Sequence, residues 1–183
     1  MKAVYSLCDR THVALYPWRD AGFHCVAVDV QDAAVKDDGV NHIVGDIRQL
    51  RGRLAFAAFV LAWPPCTHLS KAGARWWPSK GQAALDDALS IVRACERLNG
   101  DAPAILENPV GRLPASWRPY TGIVHPWQFV DRFPLGREQE LKDGWSRERD
   151  TACVEWRTKA TCLWTFNGAS MPEPMTRAMA QAY

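Results

Sequence analysis

Strands alternating with helices as far as Pro109 predict an α/β fold: one domain built on a doubly wound, mostly parallel sheet. Three observations carry this. Ala3–Leu7 and Cys25–Val30 are short apolar runs and Phe56–Ala62 is an uninterrupted one, as in strands covered on both faces. Between Lys80 and Leu98, the apolar residues Leu85, Ala88, Leu89, Val92 and Cys95 fall at the three-and-four spacing of an amphipathic helix. A length of 183 residues with 48% apolar content suits one compact core and is short for two.

Taken in order, Ala3–Leu7 is the first strand and Cys25–Val30 the second, with Gly22 just ahead of it. The helix between them starts near Pro17, because proline inside a helix would remove a donor and clash with the preceding turn. His42–Val44 is the third strand. Phe56–Ala62, stopped by Pro64-Pro65, is the fourth. The helix Lys80–Leu98 leads into a fifth strand at Ala104–Leu106. Further on, Asp131–Arg157 is charged, of mixed sign and interrupted by Gly136 and Gly144, which predicts a loop insertion before strand character returns at Ala160–Phe166. There is no internal repeat and no low-complexity tract.

A formal charge of +2, from 22 basic and 20 acidic side chains, gives no global field of the kind that drives nonspecific nucleic-acid binding. The distribution is more informative. No Asp or Glu occurs from Ile47 to Leu85, where Arg48, Arg51, Arg53, Lys71, Arg75 and Lys80 all fall, so an anionic partner is expected there. The six cysteines contain no C-x-x-C pair, which argues against a structural zinc site or any other metal centre and against a disulfide framework. No apolar run approaches a membrane span, and the uncharged stretch after Lys2 is too short for a signal-peptide core, so a cytoplasmic protein is expected.

In a doubly wound sheet, ligands bind at the carboxyl ends of the strands, and Asp9, Asp29, Asp46, Cys66 and Glu107 stand at or just after those ends. The sharpest local pattern is Trp63-Pro64-Pro65-Cys66-Thr67, in which two prolines stiffen a loop that holds a thiol outside the sheet near basic side chains. Leu106-Glu107-Asn108-Pro109 follows the next strand, so a carboxylate can reach the same crevice.

These two patterns resemble the catalytic pair of the cytosine-C5 DNA methyltransferase family, a Rossmann-like class I methyltransferase type, although the usual second motif is E-N-V rather than E-N-P. The resemblance implies that Cys66 attacks C6 of cytosine while Glu107 engages N3 and the amino group. C5 then takes the methyl group, and elimination frees the enzyme. A soft nucleophile adds reversibly, and a protonated carboxyl offsets charge developing on the ring. Ala21-Gly22-Phe23, Val26-Ala27-Val28-Asp29 and Gly45-Asp46-Ile47 are similar to the half of the family that binds S-adenosylmethionine. There Asp29 would hold the ribose and Asp46 the adenine amino group. The resemblance further assigns Asp9, Thr11 and Pro64 to the cofactor, and Pro65, His68, Arg75 and Asn108 to the substrate.

Two departures bear on function. The glycine-rich first loop of the family is replaced by Leu7-Cys8-Asp9-Arg10-Thr11-His12, so the methyl donor uses other contacts or is a different one-carbon carrier, for instance a folate. The Q-x-R-x-R element and the large target-recognition domain have no counterpart. In this the chain looks most like short bacteriophage methyltransferase-like proteins, which share the P-P-C-T-H loop, the E-N-P turn, a His-Pro pair such as His125-Pro126 and a K-x-T-C-L-W ending.

The expected partner is therefore DNA or a deoxycytidine nucleotide, with Trp76-Trp77 available for base stacking or, equally in keeping with their type, for roofing the core. A catalytically inactive relative that binds nucleic acid or protein is the rival from another class, favoured by the lost glycines and opposed by the retained Cys66 and Glu107. A thiol hydrolase built on Cys66 and His68 is disfavoured, because residues two apart on a loop seldom make an in-line pair.

Overall fold

The computed structural model describes residues 2–124 and 160–169. The expected insertion at Asp131–Arg157, the pair His125-Pro126 and Lys159 lie outside the described residues. Seven strands form one sheet: β1 (Ala3–Leu7), β2 (His24–Asp29), β3 (Asn41–Val44), β4 (Ala57–Ala62), β5 (Ala104–Pro109), β6 (Gly122–Val124) and β7 (Thr161–Phe166). Their spatial order is β3-β2-β1-β4-β5-β7-β6. Strands β1 to β5 pair in parallel, and β7 runs antiparallel between β5 and β6. The sheet is thus the mostly parallel, Rossmann-like one expected from the sequence, closed on one side by an antiparallel pair.

Period-two alternation along each strand divides the apolar side chains between the two faces. Leu7, Val28, Val60, Ala62 and Leu106 pack on one face with Leu85, Leu89, Val92 and Cys95 of the helix α2 (Trp77–Asn99). Val4, Ala27, Phe59, Leu61 and Ile105 pack on the other with Leu15 and with Trp18 of the short helix α1 (Tyr16–Asp20). Burying a side chain of this size contributes about 1.5–3 kcal/mol, which is why continuous apolar strands specify a sheet covered on both faces.

Three details differ from the sequence-based expectation. α1 does begin beside Pro17, yet it has only five residues and is preceded by a 3-10 turn at Val13–Leu15. α2 starts at Trp77, earlier than the periodicity predicts, and is broken at Gly81, whose φ of 72° no helix accommodates. β6 was not foreseen: three residues, with Ile123 exposed at the sheet edge, carry no apolar pattern to detect.

The chain order turns outward from β1 in one direction to β2 and β3 and in the other to β4 and β5. The crevice above β1 and β4 is therefore the topological switch point, where ligands of such sheets bind.

Candidate active site

The loop after β4 leaves the sheet at Trp63, whose N–H donates to the Leu7 carbonyl at 2.9 Å. Pro64 is buried and Pro65 exposed, and they lead into a 3-10 turn, Cys66–His68, that leaves the Cys66 thiol partly accessible. The turn closes on Cys66 itself, whose carbonyl accepts from Leu69 N at 2.9 Å and Ser70 N at 2.8 Å.

Backbone contacts fasten this loop to the one after β5. Lys71 N donates to Val110 O at 3.0 Å and Arg112 N to Leu69 O at 2.9 Å, and Ser70 forms a bridge with Gly111. The approach is so close that a Cβ at Gly111 would lie 1.9 Å from the Leu69 carbonyl oxygen, which only glycine permits. Asn108, fully buried, adds a side-chain bond from Nδ2 to the Pro64 carbonyl at 2.8 Å.

Ala62 and Leu106 are register partners where β4 ends, and Cys66 lies on the loop beyond it, whereas Glu107, expected just past β5, lies within that strand because β7 pairs with it as far as Pro109, with Leu163 opposite Glu107. Glu107 is 8% exposed. Burial, and after it the charge of Glu107, pushes the Cys162 thiol up, placing that carboxylate beside β7. Six buried side-chain polar atoms make no hydrogen bond among the described residues. Four of them, His68 Nδ1, Trp77 Nε1, Asn108 Oδ1 and Thr161 Oγ1, belong to the segments around these loops. Buried polar atoms are normally paired, so this concentration marks a place where a ligand or water completes the bonding.

On the donor side the loop after β1 is closed by its own side chains. Asp9 Oδ1 accepts from Thr11 N (2.9 Å), Thr11 Oγ1 (3.0 Å) and His12 N (2.9 Å), and Oδ2 accepts from Ser6 Oγ (2.7 Å). Trp63 Nε1 donates to that same Ser6 hydroxyl at 2.9 Å, joining this loop to the nucleophile's. The loop contains no glycine, yet Cys8 and His12 have φ of 58° and 64°, the left-handed backbone that glycine ordinarily supplies. The Cys8 thiol is anchored on α2, where its hydrogen bond to Cys95, followed by burial, holds the Cys95 thiol well above its ordinary value.

This geometry redistributes the sequence-based assignments. Asp9 and Thr11, expected to contact the cofactor, spend their polar atoms on each other and on the loop. Asp29, at the end of β2, accepts from Gln31 N at 2.8 Å through Oδ1 alone. Both oxygens of Asp46 are gripped by Arg48, at 2.6–3.0 Å, and this contact holds the Asp46 carboxyl below the usual range. Of these three aspartates, Asp29 alone keeps a carboxylate oxygen without a hydrogen bond among the described residues, so it is the one that could receive the nucleoside end of S-adenosylmethionine. The amides that a glycine-rich loop would offer to its methionine end are taken by Asp9 at Thr11 and His12 and by Val28 O at Cys8 and Asp9.

The basic stretch also divides. Arg48 pairs with Asp46 and Asp87, and Arg53 with Asp101. By contrast Lys71, Arg75 and Arg112, which surround the nucleophile, form no ion pair among the described residues, and Lys80 bonds the Thr67 carbonyl at 3.2 Å. Arg75 lies over the Trp76 ring at 5.0 Å and Arg112 over the Trp77 ring at 4.8 Å, leaving Trp76 53% exposed. Sequence reasoning missed Ser6, Gly111 and the cluster of the buried His12 with the half-buried Asp38 and His42. Contacts across 26 and 30 residues leave no local pattern to read.

No protein-family model and no curated protein matches the chain. Solved structures to which it is similar include the glycopeptide N-methyltransferase MtfA, at 16% identity over 61% of this chain and 48% of that one, with a TM-score of 0.34. A second is the CcbJ methyltransferase from Streptomyces caelestis, at 18% identity over 67% and 48%, TM-score 0.36. A third is phosphoethanolamine N-methyltransferase 2 of Haemonchus contortus, at 9% identity over 88% and 47%, TM-score 0.39. The chain spans about half the length of these structures. Likenesses this distant add nothing to what the sheet topology shows. Among the described residues no helix is long and apolar enough to cross a membrane, and no cluster of three or more His, Cys, Asp or Glu could hold a metal ion.

Proposed function

We propose that the chain transfers a methyl group to C5 of cytosine in a DNA strand, with Cys66 as nucleophile and Glu107 as its acidic partner. The observation that carries this reading is the fastening of the P-P-C loop to the E-N-P end of the adjacent parallel strand β5 and to the turn that follows it. A thiol and a carboxyl held on one unit can act on two atoms of the same ring. The Cys66 sulfur adds to C6, and the protonated Glu107 carboxyl donates to N3 as electron density moves onto the ring. Once C5 carries the new methyl group its proton passes to water, the C6–S bond breaks to restore the thiolate, and N3 returns its proton to Glu107.

Asp29 receives the ribose hydroxyls of S-adenosylmethionine, which supplies the electrophilic methyl group when bound. An Asp46 contact to the adenine amine shares that carboxylate with Arg48. Pro64 and Pro65 fix the loop's course, and the partnerless atoms of His68 and Asn108 are available to the bound base or to water. Arg75 and Trp76 suit a strand better than a mononucleotide, since a stacking ring beside unpaired cations engages a neighbouring base and its phosphate together. The rival, a binding module without catalysis, is favoured by the self-occupied loop after β1.

The test is incubation of the purified protein with a 5-fluorocytosine oligonucleotide and S-adenosylmethionine, followed by intact-mass spectrometry. A covalent adduct lost in Cys66→Ala is expected. Absence of any adduct, with a folded protein and a bound oligonucleotide, would leave the binding module.

A further inference from the structure

His12 is 1% exposed, and both of its ring nitrogens are engaged. Nδ1 lies 2.8 Å from Asp38 Oδ2, and Nε2 lies 2.8 Å from Nδ1 of His42, whose own Nε2 lies 2.9 Å from the Gln31 carbonyl oxygen. The outer hydrogens follow from their partners: a carbonyl and a carboxylate only accept, so His42 Nε2 and His12 Nδ1 each carry one. The bond between the rings needs one more, on either His12 Nε2 or His42 Nδ1, so the pair holds three ring hydrogens and one positive charge, matched by Asp38. Burial opposes ionisation of Asp38, yet the hydrogen bond and charge of His12 and the Val40 N–H bring its carboxyl below the ordinary value.

Other charged and titratable groups complete the surroundings. The Tyr16 hydroxyl faces Asp38, and Arg19 donates to the Asp38 carbonyl at 2.6 Å while lying over the Tyr16 ring. Asp9 holds the His12 amide, and Asp32, paired with Lys36, acts on the His42 side.

We propose that Asp38, His12 and His42 form a single-charge brace that sets the loop after β1 against the end of β2, making His12 a positioning residue for Asp29. Gln31 is the link. Its carbonyl ends the chain of hydrogen bonds, and its N–H holds Asp29 Oδ1 at 2.8 Å. The brace occupies the loop where the sequence lacks glycine and keeps His12 in its left-handed conformation. It requires three ring hydrogens shared by two imidazoles. Losing one leaves two acceptors face to face, and gaining one leaves two donors face to face. The effect on donor binding rests on the function proposed above, whereas the brace itself does not.

Nitrogen-15 NMR of the wild-type protein at neutral pH should find three of the four ring nitrogens of His12 and His42 protonated. Only two hydrogens on the pair would overturn the proposal. With S-adenosylmethionine, His12→Ala and the milder edge-strand change His42→Ala should raise the donor KM about tenfold, the effect of leaving one buried partner unmatched, with kcat preserved at saturation. Asp38→Asn can donate through its amide to a neutral His12, so it should keep wild-type affinity, whereas Asp38→Ala should not. A donor KM unchanged in folded His12→Ala or His42→Ala would reduce the cluster to packing. If the wild type binds no donor, the proposed function fails, and the ring hydrogens together with protection of the Gln31 amide from exchange still decide the brace.

Discussion

The two sides of the crevice are held by different chemistry. On the nucleophile side, the loops after β4 and β5 are joined mainly by backbone hydrogen bonds and by an approach that excludes a Cβ at Gly111. On the donor side, the loops after β1 and β2 are joined through carboxylates, a hydroxyl and two imidazoles. A backbone fastening has no protonation state and tolerates changes in most side chains. A side-chain fastening is adjustable, and it fails when one proton moves. The fastening around Cys66 and Glu107 is thus insulated from changes in protonation, and the one around Asp29 is not.

The largest effects should come from changes that leave both fastenings intact and remove only chemistry. Cys66→Ser should abolish turnover with an unchanged melting temperature, because an alcohol is a far poorer nucleophile at this position than a thiolate. Glu107→Gln should keep base binding while lowering kcat by about a hundredfold to a thousandfold, the usual effect of removing one group that stabilises developing charge. Steady-state kinetics on both variants, with circular dichroism as the folding control, checks the pair. Full activity in either one would dismiss the mechanism.

Gly111→Ala attacks the backbone fastening itself. Overpacking of this kind costs about 1–3 kcal/mol, and here the obstacle is a carbonyl oxygen that cannot step aside, so the upper end is expected in a urea melt. The rate should fall with it, since the thiol and the carboxyl would be displaced relative to each other. Trp76→Ala should be silent in the melt, because that ring is mostly exposed, yet weaken binding of a single strand by about 1–3 kcal/mol, the worth of one stacked base. Fluorescence anisotropy across a salt series would measure it, with deoxycytidine monophosphate for comparison. Tight, salt-insensitive binding of the mononucleotide without affinity for the strand would move the substrate to the nucleotide.

The smallest effect separates the two sides by pH. The carboxyls of Asp38 and Asp46 are both depressed by their partners, so each adds stability that is present above the ordinary carboxylate pKa and is lost as pH falls through the depressed folded value. Below about pH 4 the donor-side loops should therefore loosen first. Amide exchange at Val40 and Arg48, held by these two carboxylates, should quicken before exchange at Lys71 and Arg112, whose bonds involve no titrating group. Simultaneous loss of protection on both sides would erase the distinction.

The strands with continuous apolar runs were legible in the sequence because burial on both faces leaves no polar position to obscure them. Ala3–Leu7 coincides with β1, and the other five expected strands begin or end within a few residues of the observed ones. The placement of Cys66 just beyond β4 followed from the same pattern, whereas Glu107, expected beyond β5, lies within it because β7 extends the pairing to Pro109. What could not be read was pairing at long range. Asp46 looked available until Arg48 was found on it, and Asp9 until its own loop was found to use both of its oxygens. The cations from Ile47 to Leu85 looked like one patch, whereas Asp87 and Asp101, both outside that window, claim Arg48 and Arg53. The brace around His12 was invisible for the same reason.

The approach of Gly111 to Leu69 has a consequence for motion. A clasp made at the main chain cannot be released by rotating a side chain, so the nucleophile and its acid move as one rigid jaw. Opening the crevice to admit a base or release a product must then be accomplished by the opposing wall. On that wall Gly39, beside Asp38, has the left-handed φ of 81° that only glycine adopts freely.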